Sequence, residues 1–140
     1  MAARGKYASR RQRNFTDALV LLNLLAESWP DVFKHEGEVP APLAIGIRED
    51  VIRELGGMAQ PYLVAIALKI YCQQWAYLGC LSTPGAMRIG LDGTPVEPVS
   101  PEHQEEARKR LAAALEKHRS RQLEAPRQPA KAQNRKSAKA

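Results

Sequence analysis

PGAMRIGLDGTPVEPVSPEHQEEARKRL, residues 84–111, contains the signals for a β-hairpin followed by a helix. Asp92-Gly93 is a common two-residue hairpin turn, and two prolines after it restrict the second strand to a short length or a sheet edge. Ser100 and Pro101 then form a helix start, because serine caps helices and proline fits the first helical position. The segment therefore predicts a small hairpin joined to a C-terminal helix.

Helices are predicted for most of the chain before this segment. Apolar residues recur at steps of three and four in residues 14–29, and Pro30 ends that helix. A second helix is expected from about Arg48 to Leu55, closed by two glycines. The longest is expected to run unbroken from Pro61 to Cys80, with a buried stripe of Val64, Ala67, Leu68, Tyr71, Trp75 and Leu78. The predicted fold class is therefore mainly α with a small β-hairpin.

Positive charge is concentrated at the two ends of the chain. Residues 1–13 carry five cations and no acid, and residues 108–140 carry eleven cations and two acids, although the whole chain has a net charge of only +6. Flexible cations can follow a phosphate backbone and release its counterions, so nucleic acid is the leading partner class. Solubilising tails are the alternative. We predict a basic flexible arm (1–13), one domain (14–120) and a basic disordered tail (121–140).

Signatures of catalysis, metal binding and membrane insertion are absent from the sequence. His35, His103 and His118 lack metal-ligand spacing, and there is no phosphate-binding glycine loop or nucleophile elbow. No apolar run reaches the eighteen or so residues of a membrane span, and the N-terminal residues lack a signal-peptide pattern. Cys72 and Cys80, about 12 Å apart on one helix, would be too distant for a disulfide. We expect a cytoplasmic, monomeric protein with reduced thiols, without enzymatic activity, metal or cofactor.

Three segments resemble, in order and spacing, the ProQ/FinO domain of bacterial RNA chaperones. They are PLAIGIRED (42–50), YCQQWAYL (71–78) and the hairpin-helix segment 84–111, and WPDVF (29–33) fits the same family. The resemblance covers about residues 14–120. It implies a compact domain that binds structured RNA without catalysis, in post-transcriptional regulation. The implied ligands are small regulatory RNAs and messenger 3′ ends, recognised as an intrinsic-terminator hairpin with a short U tail and a free 3′ hydroxyl.

The resemblance also implies the binding residues. The family's 3′-end pocket uses a helix tyrosine and a hairpin arginine, which correspond to Tyr77 and Arg88 here. It also uses the helix start after the PLxIGI motif, which corresponds to Gly46, Ile47, Arg48 and Asp50. Lys69 and Gln73 are expected on one helix stripe with Tyr77. The residues expected to contact the RNA duplex or backbone are Lys69, Gln73, Arg53, Arg10, Arg11, Arg13, Arg108 and Lys109.

Three departures from the family pattern bear on how this chain binds. Ala44, Ala65 and Ala76 occupy positions that are commonly basic in the family. Fewer cations on the domain should weaken its contacts with phosphates, so the basic ends are expected to contribute more affinity than in more basic relatives. Two other functions stay open: a nonspecific nucleic-acid binder acting through its basic arms, and a protein-interaction module acting through the basic C-terminal helix.

Overall fold

Five helices and one β-hairpin follow one another along residues 9–124, the part of the chain described by this computed structural model. This arrangement confirms the predicted fold class. Residues 1–8 and 125–140, which hold most of the predicted arm and tail, lie outside the described residues. The elements are α1 (Arg10–Ser28), α2 (Ile47–Leu55), α3 (Pro61–Cys72), α4 (Trp75–Ser82), β1 (Met87–Ile89), β2 (Pro95–Pro98) and α5 (Pro101–Glu124).

The two terminal helices extend beyond their predicted ends. α1 begins at Arg10 and not at Asn14, because Ser9 and Gln12 form a reciprocal capping box in which each backbone N–H donates to the other side chain at 3.1 Å. α5 continues to Glu124, past the predicted end of the domain at residue 120. The cations of residues 10–13 are therefore held on a helix.

The predicted long helix is broken into α3 and α4. Gln73 ends α3 with its N–H donating to the Lys69 carbonyl at 3.1 Å, and Gln74 has extended backbone before α4 starts at Trp75. The apolar periodicity continues across the break, so the sequence carries no local signal for it. The break changes which side chains are buried. Trp75, predicted to be buried, is 44% exposed, whereas Tyr77 is 3% exposed.

The core lies where α1, α2 and α3 meet. α3 packs against both α1 and α2, and α4 packs against α5. The largest fully buried side chains are Leu25, Val32, Phe33, Val51 and Val64. None of the helices within residues 9–124 has both the length and the apolar character needed to cross a membrane.

The hairpin is joined on its other side by a short extended segment, Pro42 to Ala44. β1 pairs antiparallel with β2. On the opposite edge, the Ile89 N–H donates to the Pro42 carbonyl at 2.9 Å and the Ala44 N–H donates to the Ile89 carbonyl at 2.8 Å. Met87 of β1 is 40% exposed, whereas Arg88 beside it is 8% exposed. The face of β1 that carries the arginine is thus the buried one.

Candidate functional site

A cavity of about 400 Å³ lies between the start of α2, the middle of α3 and the hairpin. Five of the six residues predicted for the 3′-end pocket line it, and the sixth, Asp50, does not. Lys69, predicted as a backbone contact, lines it too, and so do Ala44 and Ala65, two of the positions where this chain lacks a cation. The five pocket residues are Gly46, Ile47, Arg48, Tyr77 and Arg88.

Tyr77 and Arg88 hold the two backbone polar groups of Leu43 in the cavity wall. The Leu43 N–H donates to the Tyr77 hydroxyl at 2.9 Å, and Arg88 Nη1 donates to the Leu43 carbonyl at 2.8 Å. Both bonds are buried, so losing either would leave a backbone group without a partner. We call this arrangement the Leu43 clamp. It gives both predicted RNA-binding residues a structural role that the sequence does not reveal.

Arg88 is a buried cation, 8% exposed. Its second contact is with His103 of α5, at 3.0 Å between Nη2 and Nδ1. Among residues 9–124 no carboxylate forms an ion pair with it; Glu106 lines the adjoining cavity but pairs with Arg110. The two contacts leave part of the five-donor guanidinium for a ligand. Since a buried charge is costly unless paired, this position favours an anionic group in the cavity.

The start of α2 adds backbone donors to the same cavity. Gly46 caps the helix with φ +91°, a conformation that favours glycine, and no side chain caps the helix. The Ile47 N–H donates to the Ala44 carbonyl, but the Arg48 N–H has no acceptor among the described residues. Glu49, the one acid lining the cavity in residues 9–124, pairs with Arg48 at 3.3 Å. Open donors at a helix start suit an anion.

The phenol and thiol groups beside the cavity are neutral at physiological pH. Burial raises the pKa of Tyr77 and of Cys72, which lines the cavity, and raises the pKa of Cys80 to about 12. Both cysteines are free thiols. They lie on different helices, so the 12 Å separation expected for one continuous helix does not apply. Raised pKa values make these thiols weak nucleophiles, which argues for a packing role.

These raised pKa values predict a loss of stability in alkaline solution. Because the unfolded thiol of Cys80 ionises near its ordinary pKa of 9.0 and the folded thiol only near 12, unfolding releases a proton above pH 9. The free energy of unfolding should be constant from pH 7 to about 8.5 and then fall with rising pH. Urea titrations at pH 7 to 10.5 measure this. The Cys80→Ala variant should show a shallower fall between pH 9 and 10, and an identical fall would contradict the assignment.

The residues predicted to contact the RNA backbone are distributed over several surfaces. Arg53 pairs with Asp50 at 2.7 Å on α2, Arg108 pairs with Glu105 on α5, and Lys109 is exposed. Arg10, Arg11, Lys69 and Gln73 line a second cavity between α1 and α3, and Arg13 is half-buried on α1. The expected stripe of Lys69, Gln73 and Tyr77 is wrong, because the helix break places the buried Tyr77 on α4.

Sequence reasoning missed two participants in the site. Leu43 contributes through its backbone, for which residue type carries no signal. His103 was considered only as a metal ligand, yet it contacts Arg88 from the first turn of α5. Its position three residues after the cap Ser100 was visible in the sequence, but its proximity to β1 depends on tertiary packing. Within residues 9–124 no group of three or more His, Cys, Asp or Glu side chains is placed to hold a metal.

Comparisons with known proteins agree with this architecture. The model of the ProQ/FINO family matches residues 15–124. The chain is similar to a ProQ homolog from Legionella pneumophila solved by NMR, at 31% identity over 68% of this chain and 80% of that one, with a TM-score of 0.58. It is also similar to the crystal structure of a FinO-like RNA chaperone from Neisseria meningitidis MC58, at 29% identity over 66% of this chain and 92% of that one, with a TM-score of 0.58. The matched residues include every element that lines the cavity, and the chain therefore belongs to the ProQ/FINO family.

Proposed function

We propose that this protein is an RNA chaperone that binds the 3′ end of structured RNA in the cavity bounded by the Leu43 clamp. The RNA class is the intrinsic-terminator hairpin with a U tail, as carried by small regulatory RNAs and messenger 3′ ends. One relative of similar fold is a FinO-like RNA chaperone. The observation that carries the proposal is Arg88, a buried cation that lines the cavity and has no acidic partner among residues 9–124.

The size and chemistry of the cavity suit a strand end better than a duplex. A volume of about 400 Å³ is in the range of small-ligand pockets, so the cavity can hold the end of one strand but not a duplex. RNA duplexes hide their base edges in a narrow major groove, which leaves unpaired ends as the accessible feature. Arg88 and the Arg48 N–H would contact the last internucleotide phosphate, and Lys69 at the rim would contact the phosphate before it.

The proposed function can be tested by changing the RNA and leaving the protein unchanged. A terminator hairpin with a U tail is titrated at fixed salt with either a 3′ hydroxyl or a 3′ phosphate. We expect the phosphate to weaken binding by about 30-fold, equivalent to about 2 kcal/mol, because the bulk of the added group displaces the last internucleotide phosphate from its donors. A hairpin with the same tail moved to the 5′ end serves as the control and should bind as weakly. Equal affinity for all three RNAs would overturn the proposal.

The basic ends of the chain should supply the salt-dependent part of the affinity. Seven cations lie in residues 1–8 and 125–140. Replacing them with glutamine should lower the slope of log affinity against log salt by about 0.7 to 0.9 for each phosphate that the chain no longer neutralises. The preference for a 3′ hydroxyl should be unchanged, because it arises in the cavity.

The same titrations distinguish the alternative functions. If the seven substitutions abolish all binding and duplex DNA competes as well as RNA, the chain is a nonspecific nucleic-acid binder. If they change neither affinity nor slope, the basic ends do not contact RNA. Helix α5 presents fewer unpaired cations than its sequence suggests, because Arg108, Arg110 and Arg119 each pair with a glutamate on the same helix.

A further inference from the structure

A second cavity, of about 540 Å³, lies between the first turns of α1 and the C-terminal half of α3. We call it the α1–α3 groove. Its floor is apolar, formed by Ile66 and Ile70 together with the ring of Phe15, which is 51% exposed. Its rim carries cations and side-chain amides, and no acid from the described part of the chain lines it. The rim residues are Arg10, Arg11, Asn14, Lys69 and Gln73.

The groove adjoins the 3′-end cavity. Lys69 lines both, and Gln73 follows one helical turn further along α3, roughly 5 to 6 Å away. A strand that leaves the first cavity past Lys69 therefore enters the groove within a few nucleotides. The two cavities thus meet at Lys69, on adjoining faces of α3.

Two of the groove's three cations, Arg10 and Arg11, are placed against the preference of their own helix, whereas Lys69 lies in the last turn of α3. The first turn of α1 contains no acid, and Arg10 and Arg11 lie at the positive end of the helix dipole, where cations are unfavourable. Neither forms an ion pair with any residue of 9–124. The capping box at Ser9 nevertheless fixes them on the helix. An anionic partner would neutralise these unfavourably placed charges. Because the two cations are already ordered on the helix, its binding would cost little conformational entropy.

We propose that the α1–α3 groove binds one or two unpaired nucleotides of the RNA strand whose 3′ end occupies the first cavity. A base stacks on Phe15 over the apolar floor, the cations contact the adjoining phosphates, and Asn14 and Gln73 offer hydrogen bonds to base edges. Aromatic rings beside cations are the usual composition of single-strand binding surfaces. An acidic peptide would match the charge but leave the ring without a flat partner, so nucleotides fit better. The proposal rests on the proposed function, since it places both sites on one strand.

The test measures each protein variant against RNAs with 3′ tails of two lengths. The full chain is titrated with one terminator hairpin carrying either a two-nucleotide or a six-nucleotide 3′ U tail. We expect Phe15→Ala to weaken binding of the long tail by about 5-fold or more and to leave the short tail unchanged, since only the long tail reaches the groove. Val20→Ala, at a 67% exposed site on the same helix outside the groove, is the matched control and should change neither.

Two further variants separate stacking from loss of structure. Phe15→Trp keeps an aromatic face, so it should retain affinity for the long tail, and its indole fluorescence should be quenched when that tail binds. Replacing Arg10 and Arg11 with glutamine should lower long-tail affinity without lowering the thermal midpoint, because the removed charges oppose the helix dipole. A fold defect would instead reduce binding of both tails.

The outcomes separate this proposal from the proposed function. If Phe15→Ala has the same effect on both tails, or none, the groove does not bind unpaired nucleotides, even where the 3′-hydroxyl preference is intact. If the preference for a 3′ hydroxyl is missing but the tail-length effect of Phe15→Ala is present, the groove is a single-strand site and the 3′-end proposal fails. If Phe15→Ala weakens binding of the long tail alone and the preference for a 3′ hydroxyl is present, both proposals are supported.

Discussion

Replacing Phe33 with alanine is expected to lower the free energy of unfolding by about 3 to 5 kcal/mol. The side chain is 1% exposed, and its ring meets Trp29 and Tyr71 edge-on at centroid distances of 6.4 and 5.6 Å. The destabilisation combines buried apolar area, a cavity and two aromatic pairs. Tyr71 in turn contacts Tyr77 at 5.6 Å, so the effect should extend to the Leu43 clamp. Urea unfolding measures the change.

The same substitution at an exposed phenylalanine provides the comparison. Phe15→Ala removes an identical side chain from α1, where the ring is 51% exposed, and should change the free energy of unfolding by about 0.5 kcal/mol or less. If both variants lose equal stability, the contacting rings of Trp29, Phe33, Tyr71 and Tyr77 are not the centre of the core. If the free energy of unfolding of the unsubstituted domain is below about 5 kcal/mol, the Phe33→Ala variant should be largely unfolded. It should then also fail to bind RNA.

Arg88→Ala should reduce both stability and recognition of the RNA 3′ end. The substitution leaves the buried Leu43 carbonyl without its donor, which should cost about 1 to 3 kcal/mol of stability. It also removes the cation from the cavity, and affinity for the terminator hairpin should fall on the order of 30-fold. Arg88→Lys keeps the charge but loses the planar set of donors, so it should recover only part of the affinity.

Tyr77→Phe distinguishes the two roles of Arg88. It removes the other bond of the Leu43 clamp, leaves the ring in place and changes no charge. A stability loss of about 1 to 3 kcal/mol is again expected, with the preference for a 3′ hydroxyl intact at a temperature where both variants are folded. If both variants lose that preference equally, Arg88 acts by shaping the cavity wall and not by contacting RNA.

Local signals were sufficient for several parts of the fold. The glycines after α2 predicted its end, because positive φ favours glycine. Asp92-Gly93 predicted the hairpin, but the two-residue turn expected there is a three-residue loop, Leu91 to Gly93, between the hydrogen-bonded Gly90 and Thr94. The Ser9 and Gln12 capping box was also readable, but the run of cations around it was interpreted as a flexible arm. The start of α1 was therefore placed four residues late.

Other parts depend on packing that no local pattern encodes. The break at Gln73-Gln74 interrupts an apolar period that fits one helix as well as two, so the sequence favoured a single element. The burial of Arg88 depends on His103 and on the backbone of Leu43, which are distant in the sequence. The resemblance selected five residues that do share one cavity, but it could not show that two of them also hold the cavity wall.

The Leu43 clamp has a consequence for the order in which the protein folds. Leu43 forms hydrogen bonds to side chains 34 and 45 residues further along the chain. The wall of the cavity at Leu43 therefore forms only after the long chain segments between these residues have been brought together. Helices can form earlier from local contacts, but the cavity requires the chain through Arg88. We expect the Leu43 amide to exchange hydrogen only through global unfolding. During synthesis, a nascent chain that has not yet exposed β1 would carry the cations of α1 but no means of selecting an RNA 3′ end.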